Sequence, residues 1–255
     1  MNIEWFVVPL AGLAAGGLNA VVGSGTLITF PVLVALGYPP IIANVSNTVG
    51  LVPGSFSGAY AYRMELLGQR AVMLRTGTAS LLGGVTGAVT LLVLPAAAFR
   101  TIVPLFIAVA LVLVVLQPWL GRRLARRSDA AAVPATAPRF GPLVLLGSFG
   151  AGLYGGYFGA AQGVLLVGVL GTTFLGRDLQ RLNGIKNLLV GGVNGVAATV
   201  FILVADVAWR PALLIAAGSI VGGYLGAHFG RRLPPAVLRG AIVLVGVVAI
   251  VRMVR

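Results

Sequence analysis

The chain is predicted to be an all-α polytopic membrane protein. It is expected to hold two inverted-topology repeats of about five hydrophobic segments each, 8–10 helices in all, with one short or re-entrant pair per repeat. Three observations carry that expectation. Of the 255 residues 58% are hydrophobic and only 9% charged, with a mean hydropathy of +1.03, outside the range of soluble domains. Apolar runs long enough to cross a bilayer recur along the chain. The two halves also repeat each other at a fixed offset, with arginines distributed as an inversion requires.

In order, the first half holds apolar runs at roughly 5–22, 24–37, 41–61, 71–93 and 100–118. The first follows Glu4 with no Lys or Arg before it, so it lacks the basic start of a cleaved signal peptide, and none is expected. The second opens on Gly23-Ser24-Gly25-Thr26 and is short. The third carries Asn44, Ser46, Asn47 and Thr48, and the loop at 62–75 behind it is rich in arginine. The fourth and fifth are separated by 94–100, a loop with one arginine. The second half repeats this layout at roughly 142–160, 163–175, 183–204, 210–229 and 236–254, its second run opening on Gly159-Ala160-Ala161-Gln162-Gly163. We therefore divide the chain into a first transmembrane repeat (1–118), a basic cytoplasmic linker (119–140) and a second, inverted repeat (141–255). The linker holds Arg122, Arg123, Arg126, Arg127 and Arg139 among Pro and Ala, and reads as flexible.

A shift of 139 superposes Ser80, Gly83 and Gly84 on Ser219, Gly222 and Gly223, Leu94-Pro95 on Leu233-Pro234, and Asn44 on Asn183. Upstream the shift is 136, pairing Gly16 with Gly152 and Gly23 with Gly159. If each short segment returns the chain to the side it left, one side collects 13 arginines (Arg63, Arg70, Arg75, the five of the linker, Arg177, Arg181, Arg231, Arg232, Arg239) and the other only 4. Treating 5–37 and its copy as single kinked spans gives 11 against 6. The sharper asymmetry puts the linker inside and both termini outside.

The net charge of +13 and pI near 11.6 do not point to nucleic acid, because the arginines sit in short loops and form no basic stripe with interleaved aromatics. Without cysteine there is no disulfide or thiolate chemistry.

At 1.5 Å per residue the second and seventh runs cover only about 20 Å of a core about 30 Å thick. Short, glycine-interrupted segments at matching places in two halves point to a transport site, since broken backbone at depth must line protein or a wet cavity. Freed amides at a half-helix start would cradle an anion. The competing reading is close glycine-mediated helix packing. Asn183, Lys186, Asn187 and Asn194 fall on one helix face. Lys186 is the sole lysine and the one cation within an apolar run away from its end; it either serves the site or snorkels to the headgroups. The candidate substrate-binding residues are Ser24, Gly25, Thr26, Asn44, Asn47, Thr48, Gln162, Asn183, Lys186 and Asn187. Tyr154 and Tyr157 flank the second interruption and could line the site or pack. The five carboxylates all map to ends or loops, and His228, the sole histidine, reads as packed or interfacial rather than as a proton carrier. No metal or cofactor is expected: one histidine, no cysteine and no intramembrane carboxylate supply no ligand set. Ser24 between two glycines has the pattern of a nucleophile turn, so an intramembrane serine hydrolase is one alternative, although no base is in reach; there is no P-loop. A gated channel for small anions or neutral solutes is the other.

The run "AGLAAGGLNAVVGSGTLITFPVLVALGYPPIIANVSNTVGLVPGSFSGAYAYR" resembles the first half of the TauE/SafE family of sulfite and organosulfonate exporters. "LQRLNGIKNLLVGGVNGVAATVFI" and "GSIVGGYLGAHFGRRLPPAVLRG" are similar to that family's second repeat. That family's breaks often carry three consecutive glycines. Here they read Gly-Ser-Gly-Thr and Gly-Ala-Ala-Gln-Gly, adding Ser24, Thr26 and Gln162 as side-chain donors. The resemblance implies a bacterial inner-membrane permease that moves small sulfur-containing anions such as sulfite or sulfoacetate, usually outward; the inverted repeat adds the expectation of alternating access. Its partners would be that anion and the lipid bilayer.

Overall fold

The computed structural model describes residues 3–130, 141–173 and 179–229, together with 240, 243, 244 and 247. Its elements are helices: α1 (Glu4–Val21), α2 (Thr26–Ala35), α3 (Pro40–Ala61), α4 (Arg70–Val93), α5 (Ala96–Ala130), α6 (Pro142–Tyr157), α7 (Gln162–Thr173), α8 (Leu179–Val204) and α9 (Trp209–Phe229). Local chemistry sets several boundaries. Pro40 and Pro142 open α3 and α6 at the first turn, where a proline's missing N–H costs nothing. Leu94, held extended ahead of Pro95, closes α4.

Nine of the ten expected runs are thus helices, eight of them within a few residues of their expected limits. The tenth, 236–254, lies outside the described residues apart from isolated positions, as do Arg177, Arg231, Arg232, Arg239 and linker residues 131–140. One boundary differs. Residues 119–130, expected as flexible linker, continue α5, which at 35 residues is about 52 Å long. Leu, Ala and Arg dominate that stretch, all strong helix formers, and a single glycine does not stop them.

Five of the described helices are long and apolar enough to cross a bilayer: Glu4–Val21, Arg70–Val93, Ala97–Gln117, Gln180–Val204 and Trp209–Phe229. The burial pattern agrees with a lipid surround. Leu74, Leu82, Val93, Leu203 and Leu213 stand on the outside, whereas Ser24, Asn44, Asn47, Ser80, Ser148, Lys186 and Asn187 are fully buried. This is a polytopic helical membrane protein. The ten residues of α2 and twelve of α7 reach only about 15 and 18 Å, too short to span.

The long helices pack in crossed pairs: α1 lies on α9 and α6 on α4, while α3 and α8 touch each other and take α9 and α4 respectively as further neighbours. Both crossed pairs depend on backbone-to-backbone approach. A Cβ on Gly16 would lie 2.4 Å from the Ser219 carbonyl oxygen, and one on Gly152 would lie 2.0 Å from that of Ser80. At one end of the molecule the Tyr38 hydroxyl donates to Glu4 at 2.7 Å and Arg210 reaches the same carboxylate at 3.7 Å, tying the starts of α1 and α9 to the α2–α3 turn. Burial and the Glu4 carboxylate push the Tyr38 hydroxyl above the ordinary phenol range, which keeps it a donor.

Candidate substrate site at the crossing of two helix breaks

The two interruptions have the same local geometry. At the first, Val22 and Gly23 both donate their N–H to the Leu18 carbonyl, at 2.7 and 3.1 Å, and Gly23 turns the chain with φ +82°. At the second, Phe158 and Gly159 both donate to the Tyr154 carbonyl, at 2.9 and 3.0 Å, and Gly159 has φ +77°. Only glycine adopts this left-handed conformation at no steric cost, so the glycines end one helix and redirect the chain into the next. Ala161, two residues on, holds φ 60°, a conformation that costs a residue with a Cβ about 1–2 kcal/mol.

The breaks cross. The Gly163 N–H donates to the Gly23 carbonyl at 3.1 Å, and a Cβ on Gly23 would lie 2.4 Å from the Gly163 Cα. Two residues about 140 apart in sequence thus touch through bare backbone, and the packing reading of these glycines holds at this point. It does not account for the polar side chains gathered around the crossing.

On one flank stands Lys186, fully buried, its Cδ 3.0 Å from where a Cβ on Gly163 would sit. Its ammonium donates to the Asn19 and Ala20 carbonyls at 3.3 and 2.9 Å, and Asn187 Nδ2 donates to the same Ala20 oxygen at 3.1 Å. Those carbonyls belong to the last turn of α1, which has no intrahelical partners for them and carries the negative end of the helix dipole. Lys186 therefore turns inward onto a helix end and does not snorkel. It forms no ion pair with a described carboxylate. An ammonium has three protons, and two are spent here.

On the other flank Asn47 links α3 to the start of α2. Its Nδ2 donates to Thr26 Oγ1 at 3.2 Å, and its Oδ1 accepts a short hydrogen bond from Thr29. Thr26 Oγ1 lies 3.7 Å from the Cβ position of Gly159, which brings the first half-helix against the second break. Asn44 Nδ2 donates to the Tyr157 carbonyl at 3.0 Å, capping the last turn of α6 as Lys186 and Asn187 cap that of α1. Gln162, at the start of α7, lies over Gly155 with both amide atoms buried and unpaired. Ser24 Oγ, Asn44 Oδ1 and Asn187 Oδ1 are likewise buried without a hydrogen-bond partner. Buried polar atoms are nearly always satisfied by protein or ordered water, so their concentration at the breaks makes this the candidate site.

Eight of the ten candidate residues therefore gather here: Ser24, Gly25, Thr26, Asn44, Asn47, Gln162, Lys186 and Asn187. Two do not. Thr48 spends its hydroxyl on the Asn44 carbonyl of its own helix at 2.9 Å. Asn183 is half-buried one turn before Lys186, with no hydrogen bond to a described residue. Two participants were missed: Asn19, whose Nδ2 donates to Ser55 Oγ at 2.9 Å, and Thr29. Asn19 is a lone polar residue within the first apolar run, and Thr29 follows Thr26 by one helical turn in the second; those are the available signals. Tyr154 and Tyr157 leave their hydroxyls unpaired within a ring cluster, Phe106 lying 5.4 and 5.5 Å from them. Ser24 Oγ is hydrogen-bonded to no base, and the sole histidine is exposed in the last turn of α9, stacked on Tyr224. No group of three or more metal-ligating residues occurs among the described residues.

A bundle of membrane helices around two touching, polar-lined breaks defines the class: a polytopic membrane protein with two discontinuous helices. More narrowly, the chain belongs to the sulfite exporter TauE/SafE family, whose model matches residues 8–253. It is 26% identical to a probable membrane transporter protein of Haemophilus influenzae, over 95% of this chain and 91% of that one. It is also 26% identical to the probable membrane transporter protein YfcA of Escherichia coli K12, over 91% of this chain and 80% of the relative. A third relative, the probable membrane transporter protein ORF9 of a Sinorhizobium species, is 26% identical over 96% and 90% of the two chains. No solved structure matches the chain significantly.

Proposed function

We propose that the protein is a membrane permease that exports small sulfur-containing anions, such as sulfite, sulfoacetate or related organosulfonates, by alternating access, and that the anion binds at the Gly23–Gly163 crossing. The observation that carries the reading is Lys186: a fully buried cation beside that crossing, with no carboxylate partner among the described residues and two of its three protons given to described carbonyls. A buried charge without a counter-ion is costly, and a bound anion supplies one. Sulfonate and sulfite oxygens are acceptors. Ser24 Oγ and Gln162 Nε2 are donors with nothing to give to, and the first amides of α2 and α7 add neutral ones. The unpaired carbonyl oxygens of Gln162 and Asn187 would take water, or an O–H or N–H of the substrate.

The chain is further read as two inverted copies, in the inner membrane of a bacterium with the 119–140 segment inside and both termini outside. Support comes from the crossed packing. The Gly16–Ser219 and Gly152–Ser80 contacts join residues that the 136 and 139 shifts exchange. The capping is exchanged too: α3 of the first half caps α6 of the second, and α8 of the second caps α1 of the first. In such an architecture one copy rocks against the other around a fixed site, which alternates its exposure.

The test is a ligand panel on the detergent-purified protein, with sulfite, thiosulfate, sulfoacetate, taurine, sulfate and simple carboxylates added in turn and the denaturation midpoint recorded. Sulfite or a sulfonate should raise the midpoint in a saturable way, as a ligand bound only by the folded state does. A panel in which carboxylates or no compound at all shift it contradicts the proposed substrate class.

A further inference from the structure

We propose that the protein carries a binding site for one anionic phospholipid on its lateral surface, in the groove between α4 and α8. The groove is a cavity of about 360 Å³ separate from the crossing, lined by Phe56 of α3, by Leu188, Leu189 and Gly192 of α8, and by one face of α4. On α4 the lining residues are Arg70, Met73, Leu74, Gly77 and Leu81. Their spacings of three and four make a continuous strip about 16 Å long, parallel to a helix that is long enough to span the bilayer.

The chemistry of the strip is ordered as a phospholipid is. Every lining residue is apolar or glycine except Arg70, and Arg70 is the first residue of α4. The cation therefore stands at one end of the groove, at headgroup level, with the methylene-binding surface running from it into the hydrocarbon. An anion there also meets the positive end of the α4 dipole. Arg70 has no ion-pair partner among the described residues, which leaves its guanidinium available for a phosphate. Leu74 and Phe56 are 66% and 44% exposed, so the groove opens onto the surrounding bilayer. Gly77 and Gly192 give it depth, and a Cβ on Gly192 would press on the Leu81 side chain at 3.1 Å. A Cβ on Gly77 would meet only the Leu189 side chain, at an ordinary 3.6 Å.

The experiment counts lipid retained by the full-length purified protein, by native mass spectrometry, during titration with phosphatidylglycerol and separately with phosphatidylcholine. Wild type should hold one phosphatidylglycerol about fivefold more tightly than phosphatidylcholine, the margin one interfacial arginine provides. Arg70→Gln should remove that preference and leave the weaker apolar binding. Gly77→Leu, whose Cβ would meet no backbone atom, should fill the groove and lose both lipids, while a retained denaturation midpoint shows that it folds. Equal retention of the two lipids by wild type overturns the proposal, as does undiminished retention by Gly77→Leu. A dimer that binds no lipid, and that Gly77→Leu dissociates, would assign the groove to a second copy of the chain and would overturn it too.

Discussion

Ala161 shows how much the breaks constrain single residues. It sits fully buried in the left-handed region, two residues after Gly159, which adopts that region freely. Relief of the strain is worth about 1–2 kcal/mol, and the greater freedom of glycine in the unfolded chain takes back about 0.5–1. Ala161→Gly should therefore raise the denaturation midpoint of the purified protein, by a net gain of up to about 1.5 kcal/mol. A lowered midpoint would mean that the alanine methyl packs for more than its strain costs. At this scale the sequence was informative about position and less so about direction. The Gly-Ser-Gly-Thr and Gly-Ala-Ala-Gln-Gly breaks announced themselves as non-helical interruptions of apolar runs, and both are. The inward turn of Lys186 was not legible, because a lysine a few residues inside an apolar run can reach headgroups or interior with the same spacing. Thr48 read as a site residue by proximity to Asn44 and Asn47, yet a threonine hydroxyl in a helix has a competing acceptor four residues back.

Between elements, close glycine contacts decide the fold, and the α4–α6 pair offers a controlled comparison. A Cβ on Gly152 would lie 2.0 Å from the Ser80 carbonyl oxygen, whereas one on Gly150, on the exposed side of the same helix, would meet nothing within 4 Å. Gly150→Ala should be neutral or stabilising by about 0.5–1 kcal/mol, as for any exposed helical glycine. Gly152→Ala must separate two backbones and should cost about 1–3 kcal/mol or more, visible as a lowered midpoint and poorer monodispersity on size exclusion. Helix number and limits could be read from the apolar runs, and the shortness of α2 and α7 from their glycine starts. The choice of partners could not. Apolar periodicity gives each helix a buried face but does not say whose, and nothing along the chain states that α1 packs on α9. The extension of α5 to Ala130 was hidden for another reason. A run of arginines reads as a loop when hydropathy alone is weighed, although arginine is a good helix former.

At the scale of the whole molecule three features come together: a polytopic helical bundle, two breaks that touch at its interior, and beside them Lys186, the one fully buried cation among the described residues. The inside-out distribution of polarity, with apolar side chains facing outward and the polar network inside, follows from solvation by lipid. Membership in the sulfite exporter TauE/SafE family agrees with it. The proposed anion site depends most on Lys186, whose charge-assisted hydrogen bond to a substrate oxygen is worth about 1.5–3 kcal/mol, or roughly tenfold to a hundredfold in affinity. Its other bonds hold the end of α1, so a substitution must keep those donors. Lys186→Gln keeps a hydrogen-bond donor and removes the charge, and Lys186→Arg keeps both. The decisive measurement is uptake of radiolabelled sulfite and of sulfoacetate into proteoliposomes holding equal amounts of folded wild type, Lys186→Gln or Lys186→Arg. The account predicts saturable wild-type transport of at least one of these anions, reduced tenfold or more at low substrate in Lys186→Gln and partly restored in Lys186→Arg. Undiminished transport by Lys186→Gln would contradict it.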